Sequence, residues 1–106
     1  FQERRLLELS RALAVNPRLL LLDETIAGLN PSETKEMMGI LRRIHTEYKV
    51  TILWVEHVMS AIMETADHIF CLHQGALIAE GCPMDIANDE KVIEAYLGEE
   101  YKFQSK

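Results

Sequence analysis

The sequence is poor in residues that build special structures, with two cysteines, three prolines and five glycines among 106 residues. Cys71 and Cys82 are too few for the disulfide framework of a small secreted domain. A zinc site of Cys71, His73 and Cys82 is conceivable, but its spacing matches none of the usual small zinc patterns. Two reduced, buried cysteines in a cytosolic protein are the favoured interpretation.

Basic residues are also in the minority. Lys and Arg number 11 against 17 Asp and Glu, so the formal net charge is -6. This balance argues against nucleic acid or an anionic membrane surface as a direct partner. No apolar run approaches the roughly 18 residues of a spanning helix, and no secretory leader is visible. Because the chain opens on Phe1 and not on methionine, we expect it to be a carboxyl-terminal piece of a longer protein.

Apolar patterning, by contrast, is plentiful. Hydrophobic residues make up 48% of the chain and charged residues 26%, which is ordinary for a soluble globular protein. The length allows one small domain. We therefore predict that residues 1–106 form a single, partial domain with a polar tail over 99–106.

The most informative stretch, residues 19–24, joins four leucines to two adjacent carboxylates. A short apolar run without alternation is typical of a strand buried on both faces, as in a parallel sheet covered by helices. Asp23 and Glu24 fall at the strand's carboxyl end, where such sheets bind ligands. Buried carboxylates are costly without a partner such as a metal ion. The pair indicates half of a phosphate-and-magnesium site, although a core strand before a solvated acidic turn also fits.

The rest of the chain alternates helical apolar stripes with β-branched and aromatic runs. Helices are predicted over 2–15, from 31 to about 47 behind an Asn30 cap, over 58–66, from Pro83, and over a last segment that Asn88 or Asp89 caps and Gly98 ends. Strands are predicted over 18–23, 50–55, 68–72 and 76–79, the last two joined as a hairpin. This order predicts an α/β fold: a three-layer parallel sheet with helices on both faces and one antiparallel edge hairpin.

A histidine lies just beyond the predicted strand 50–55. Neighbouring parallel strands end side by side, about 4.8 Å apart, so Asp23, Glu24 and His57 can face one small volume. Taken alone, His57 is better explained as a cap of the next helix or a partner for a local carbonyl. Its place one crossover after Asp23 and Glu24 favours a shared site instead.

Together these motifs resemble the carboxyl-terminal half of an ABC-transporter ATP-binding subunit, over almost the whole chain. Residues 19–24 resemble the Walker B motif, 27–30 the D-loop, and His57 the switch histidine. The helix 2–15, with Arg-Ala-Leu-Ala at 11–14, resembles the helix that follows the ABC signature. Three further segments are similar to subunits that energise uptake of branched-chain amino acids: 23–31, 78–83 and 92–98.

The resemblance implies a P-loop NTPase type of fold and an ATPase that uses ATP and Mg2+. Asp23 is implied to hold magnesium, through water. Glu24 is implied to orient the attacking water as general base, and His57 to contact the γ-phosphate and link it to Glu24. The implied nucleotide-binding residues of the D-loop are Ala27, Gly28, Leu29 and Asn30.

The family also implies partners and a location. A second nucleotide-binding subunit would complete a head-to-tail dimer, and membrane permease subunits would couple hydrolysis to import. No nucleic acid is expected. The protein would be cytoplasmic, held peripherally at the inner face of the cell membrane by the permease.

The sequence departs from the family pattern at several positions. Counting back from Arg11, Gln2 stands at the second glycine of the signature Leu-Ser-Gly-Gly-Gln and Glu3 at its glutamine. Thr25 replaces the proline after Asp-Glu, and Asn30 replaces the D-loop aspartate. No Gly-x-x-x-x-Gly-Lys-Ser/Thr phosphate loop occurs in the 106 residues, so we expect the chain alone to be inactive.

Two alternatives to a transport ATPase remain open. The first is a non-catalytic relic or interaction module that kept the fold and lost the nucleotide. The second is an ATPase head from a chromosome-maintenance or repair protein, which the lack of a long heptad segment disfavours.

Overall fold

The structure is a computed structural model that describes residues 2–97. Within this range the chain divides into two compact units, with the boundary between His57 and Val58. Each unit contains one two-stranded sheet. The predicted helix stop at Gly98 and the predicted tail over 99–106 lie outside the described residues. No helix within 2–97 is both long enough and apolar enough to span a bilayer.

The first unit has the order helix, strand, helix, strand. Its elements are α1 (Gln2–Leu13), β1 (Leu19–Asp23), α2 (Pro31–Glu47) and β2 (Thr51–Val55). Helix α1 is two residues shorter than predicted. It ends there because Asn16, with φ of 53°, donates its backbone N–H to the Leu13 carbonyl and thereby closes the helix.

Helix α2 begins as the sequence predicts. The Asn30 side chain accepts a hydrogen bond from the Glu33 N–H at 2.8 Å, and the Glu33 carboxylate accepts from the Asn30 N–H at 3.0 Å. This capping box satisfies two backbone donors that the helix itself leaves free. The apolar stripe of α2 then forms much of the core, through Met37, Met38, Leu41 and Ile44.

Strands β1 and β2 pair in parallel, as predicted, with Leu20 opposite Ile52 and Asp23 opposite Val55. The prediction that β1 is buried on both faces is wrong for the described residues. Leu20 is 4% exposed, whereas its neighbour Leu21 is 67% exposed. Since successive side chains of a strand point to opposite faces, the core of this unit lies on the Leu20 face. The other face exposes four apolar side chains: Leu19, Leu21, Leu53 and Val55.

The second unit is built around a β-hairpin. Its elements are α3 (Met59–Thr65), β3 (Ile69–His73), β4 (Ala76–Gly81), α4 (Pro83–Asn88), α5 (Glu90–Val92) and a π-helical turn (Ile93–Leu97). Strands β3 and β4 are antiparallel, as predicted. Gln74 and Gly75, the two turn residues, have φ of 50° and 78°, the positive values of the type I′ turn that suits a tight hairpin.

The end of the second unit depends on Asp89. Its carboxylate accepts hydrogen bonds from the backbone N–H groups of Lys91 at 2.8 Å and Val92 at 3.2 Å. Of the two predicted caps, Asn88 and Asp89, it is therefore Asp89 that caps this helix. Val92 is fully buried and Ile86 almost so. These two side chains and Ala61 form the core of this unit.

Candidate functional site

The candidate site lies where β1 and β2 end. The Glu24 N–H donates to the Val55 carbonyl at 2.8 Å, which carries the pairing one residue beyond β1. Asp23, Glu24 and His57 are all exposed here. The parallel register therefore delivers the polar residues that follow each strand to the same edge of the sheet, where ligands bind in α/β proteins.

Glu24 and His57 are in direct contact. The His57 Nδ1 lies 3.3 Å from the Glu24 Oε1, and the two side chains are 65% and 54% exposed. An exposed pair of this kind contributes little to stability, so its importance is positional. Helix α3 has Val58 at its N-cap and no side-chain cap, so His57 does not serve as that helix's cap.

A second carboxylate, which the sequence analysis did not single out, approaches the same ring nitrogen of His57. Glu56 accepts a hydrogen bond from the His57 backbone N–H at 3.0 Å, and its Oε1 is 3.5 Å from the His57 Nδ1. The Glu56 side chain is 0% exposed, and its Oε2 has no partner among the described residues. A buried oxygen without a hydrogen-bond partner lowers the stability of the fold by about 1–3 kcal/mol. The sequence signal that could have identified this residue is an acidic side chain directly before His57.

The backbone of Glu24 is unusual. Its φ is 49°, in the left-handed region, which costs a residue with a side chain about 1–3 kcal/mol. Its carbonyl accepts hydrogen bonds from the Arg5 Nη1 at 2.8 Å and from the Ala27 N–H at 3.2 Å. Thr25, at the family's proline position, is 8% exposed, and Ile26 is 3% exposed. Buried side chains directly after Glu24 thus anchor the turn.

The loop 27–30 leads from this turn into α2. Gly28 has φ of 81°, a conformation that favours glycine. The Leu29 N–H donates to the Ile26 carbonyl at 3.2 Å. The Asn30 side-chain oxygen is engaged in the helix cap, so this residue fixes where the loop ends and α2 begins.

Gln2, which is predicted to stand at a glycine of the family signature, makes a contact between two helices. Its Nε2 donates to the Glu36 Oε2 at 2.6 Å. The side chain therefore ties the start of α1 to α2, a contact that glycine could not make.

The oxygen donors at the strand end suit a hard cation. Asp23 and Glu24 place two exposed carboxylates on consecutive residues, and oxygen ligands are those that Mg2+ prefers. No group of three or more His, Cys, Asp or Glu side chains within the described residues is arranged to hold a metal. Cys71, His73 and Cys82, the alternative zinc ligands, do not form such a group within the described residues.

Known proteins resemble the chain over most of its length. A family model described as "Branched-chain amino acid ATP-binding cassette transporter" matches residues 76–102. The chain is 42% identical over 99 residues to the high-affinity branched-chain amino acid transport ATP-binding protein BraF of Pseudomonas aeruginosa. It is 41% identical over 99 residues to LivG of Escherichia coli, which has the same description. Both matches cover 93% of this chain and 39% of the relative, so the chain spans about two-fifths of these curated relatives.

Solved structures agree. An ATP-binding cassette of an ABC transporter in its ADP conformation superposes with a TM-score of 0.80 at 30% identity, over 92% of this chain and 40% of that one. A nucleotide-free cassette gives a TM-score of 0.80 at 29% identity. The predicted α/β fold of P-loop NTPase type, with a parallel sheet and an antiparallel hairpin, is confirmed.

Proposed function

We propose that this chain is the carboxyl-terminal part of an ABC-transporter ATP-binding subunit of the branched-chain amino-acid group, and that the full-length natural protein hydrolyses ATP to drive import. The observation that carries the proposal is the contact between Glu24 and His57 at the adjacent ends of two parallel strands. The His57 Nδ1 lies 3.3 Å from the Glu24 Oε1, and Glu24 directly follows Asp23 in the sequence.

The side chains divide the chemistry among them. Glu24 is the general base: its carboxylate accepts a proton from water as the water oxygen bonds to the γ-phosphorus, while the bond to the bridging oxygen breaks and ADP leaves. Asp23 would hold Mg2+, which would neutralise charge on the phosphate oxygens. Phosphoryl transfer of this kind depends mainly on positioning and charge stabilisation.

His57 orients the base. In the tautomer that carries hydrogen on Nδ1, His57 donates to the Glu24 carboxylate and leaves Nε2 for the γ-phosphate. The buried Glu56 carboxylate accepts a hydrogen bond from the His57 backbone N–H and so fixes the backbone position of His57. Ala27, Gly28, Leu29 and Asn30 form the loop that would contact nucleotide.

The names of the relatives support a biological setting for this proposal. BraF and LivG are described as transport ATP-binding proteins for branched-chain amino acids, and we assign the same substrate class to this protein. The partners would be a second ATP-binding subunit, head to tail, and permease subunits in the membrane. The protein would then lie at the cytoplasmic face of the membrane through the permease.

The test is ATP hydrolysis by the purified full-length natural protein, with Mg2+ and with EDTA. We expect EDTA to abolish turnover and Asp23→Ala to lower it about 100-fold or more, or about 2.7 kcal/mol of barrier. Glu47→Gln is the control, because Glu47 is an exposed carboxylate in the same unit that pairs with Arg43; it should stay within about twofold, since such surface changes have small effects.

Uptake of labelled leucine by cells that depend on this protein tests the transport half of the proposal. Wild type and Glu47→Gln should restore uptake, and Asp23→Ala should not. Magnesium-independent hydrolysis, or full turnover in Asp23→Ala, would contradict the ATPase. A protein that folds but binds no nucleotide would instead be the non-catalytic module.

A further inference from the structure

We propose that Arg5 is a positioning residue for catalysis: its guanidinium holds the turn that carries Glu24, and so keeps the Glu24 carboxylate beside His57. This inference rests on the proposed function of Glu24. Arg5 lies on α1, 19 residues before Glu24 in sequence, and its side chain joins the helix directly to the residues after β1.

Two hydrogen bonds define the contact. The Arg5 Nη1 donates to the Glu24 carbonyl at 2.8 Å, and the Nη2 donates to the Ala27 carbonyl at 3.0 Å. The planar guanidinium holds both donors in a fixed relation, so it fixes the distance between the two carbonyls. It thereby spans the turn from the proposed base to the first residue of the loop 27–30.

The turn needs such support because Glu24 adopts an unfavourable backbone conformation. A non-glycine residue at φ of 49° persists only where its surroundings hold it. The Glu24 N–H is held by the Val55 carbonyl. Arg5 and the Ala27 N–H hold its carbonyl, so loss of Arg5 removes the only side-chain donor to this carbonyl within the described residues.

The direction of the effect follows from the geometry. If the turn relaxes toward ordinary backbone angles, the Glu24 side chain swings away from the His57 Nδ1. A base that is misplaced by about 1 Å loses rate by up to about 100-fold. Because Arg5 contacts carbonyls of the protein, and no nucleotide group is needed for its two bonds, binding of ATP should change much less than turnover.

Arg4 supplies a matched control. It precedes Arg5 on the same helix and is exposed, with the same charge and length and neither of these two bonds. The experiment compares wild type, Arg5→Ala, Arg5→Lys and Arg4→Ala in the full-length natural protein, with kcat and KM for Mg-ATP and the melting temperature measured for each.

We expect Arg5→Ala to lower kcat about tenfold or more, within the range for a misplaced group, with KM within about twofold. Arg5→Lys should recover part of kcat, because an ammonium can donate to one of the two carbonyls. Arg4→Ala should match wild type. This pattern supports the proposal even if Arg5→Ala melts at a lower temperature. In that case the comparison of kcat is made between wild type, Arg5→Lys and Arg4→Ala.

Three results would overturn it. The first is Arg5→Ala equal to Arg4→Ala in kcat. The second is a rise in KM with kcat unchanged, which would make Arg5 a binding residue. The third is a fall in kcat that tracks loss of folded protein and does not recover in Arg5→Lys. Failure of the proposed function itself is distinguishable, because then Asp23→Ala would leave hydrolysis intact or wild type would have none.

Discussion

Two carboxylates lie close to the His57 Nδ1, and they differ in their surroundings. Glu24 is half exposed, whereas the Glu56 side chain is 0% exposed. The buried Glu56 fixes the backbone of His57 by accepting a hydrogen bond from the His57 N–H. The exposed Glu24 is accessible to water. This division suits a histidine whose backbone is held in place and whose exposed carboxylate partner can contact water.

The first prediction concerns this histidine. His57→Ala should lower the kcat for ATP by about tenfold or more, as expected for a group that acts on the base. The melting temperature should change little, because His57 is 65% exposed and exposed side chains contribute little packing. A large fall in melting temperature with unchanged activity per folded molecule would show a structural role instead.

The two cysteines should differ in reactivity. Burial, with a smaller contribution from the Asp89 charge, raises the pKa of the Cys71 thiol, so less thiolate is present there at any given pH. Cys82 is exposed. Iodoacetamide at mildly alkaline pH should therefore alkylate Cys82 before Cys71, as read by mass spectrometry, and the difference should vanish in urea. Earlier labelling of Cys71 in the folded protein would contradict this assignment.

Among the elements, those that depend on local sequence were predictable. The Asn30 cap and the hairpin of β3 and β4 agree with the structure, because neighbouring residues specify caps and turns. The parallel pairing of β1 with β2 also agrees, and it follows from the order strand, helix, strand. The exposed face of β1 was not predictable, because an apolar run does not say what covers it. The contact of Arg5 with Glu24 joins residues 19 apart, beyond the reach of any local pattern.

The start of α2 allows a stability test. Asn30→Ala in the full-length protein should lower the free energy of unfolding by about 1 kcal/mol, because the Glu33 N–H loses its side-chain acceptor. Asn30→Ser should retain most of that energy. Lys35→Ala, an exposed change in the same helix, should stay within about 0.5 kcal/mol. Denaturant unfolding measures all three, and equal values for Asn30→Ala and Lys35→Ala would show that the cap contributes nothing.

At the scale of the whole molecule, the 106 residues contain the Walker B-like strand and the histidine but no phosphate-binding loop. They match 39% of the length of the curated relatives. The exposed face of β1 and β2 presents Leu21 at 67% and Val55 at 60% exposure. Apolar area of this kind favours association with other protein surfaces.

Residues 1–106 alone should therefore neither bind nor hydrolyse Mg-ATP, and should oligomerise or aggregate. The phosphate loop supplies most of the affinity for nucleotide, and the open strand edges invite pairing with other chains. Calorimetric titration and sedimentation test both points, with the full-length natural protein as the control that binds. A cooperatively melting monomer that binds Mg-ATP at micromolar concentration would contradict this expectation.

The most direct test of the account is the rate of ATP hydrolysis by Glu24→Gln in the full-length natural protein. Glutamine keeps the shape of the side chain but cannot accept the proton. The account predicts a fall in steady-state turnover of about 100-fold or more, with ATP binding retained and the Glu47→Gln control unchanged. Turnover of Glu24→Gln within about twofold of wild type, a difference of less than about 0.5 kcal/mol, would remove Glu24 from the catalytic role and contradict the account.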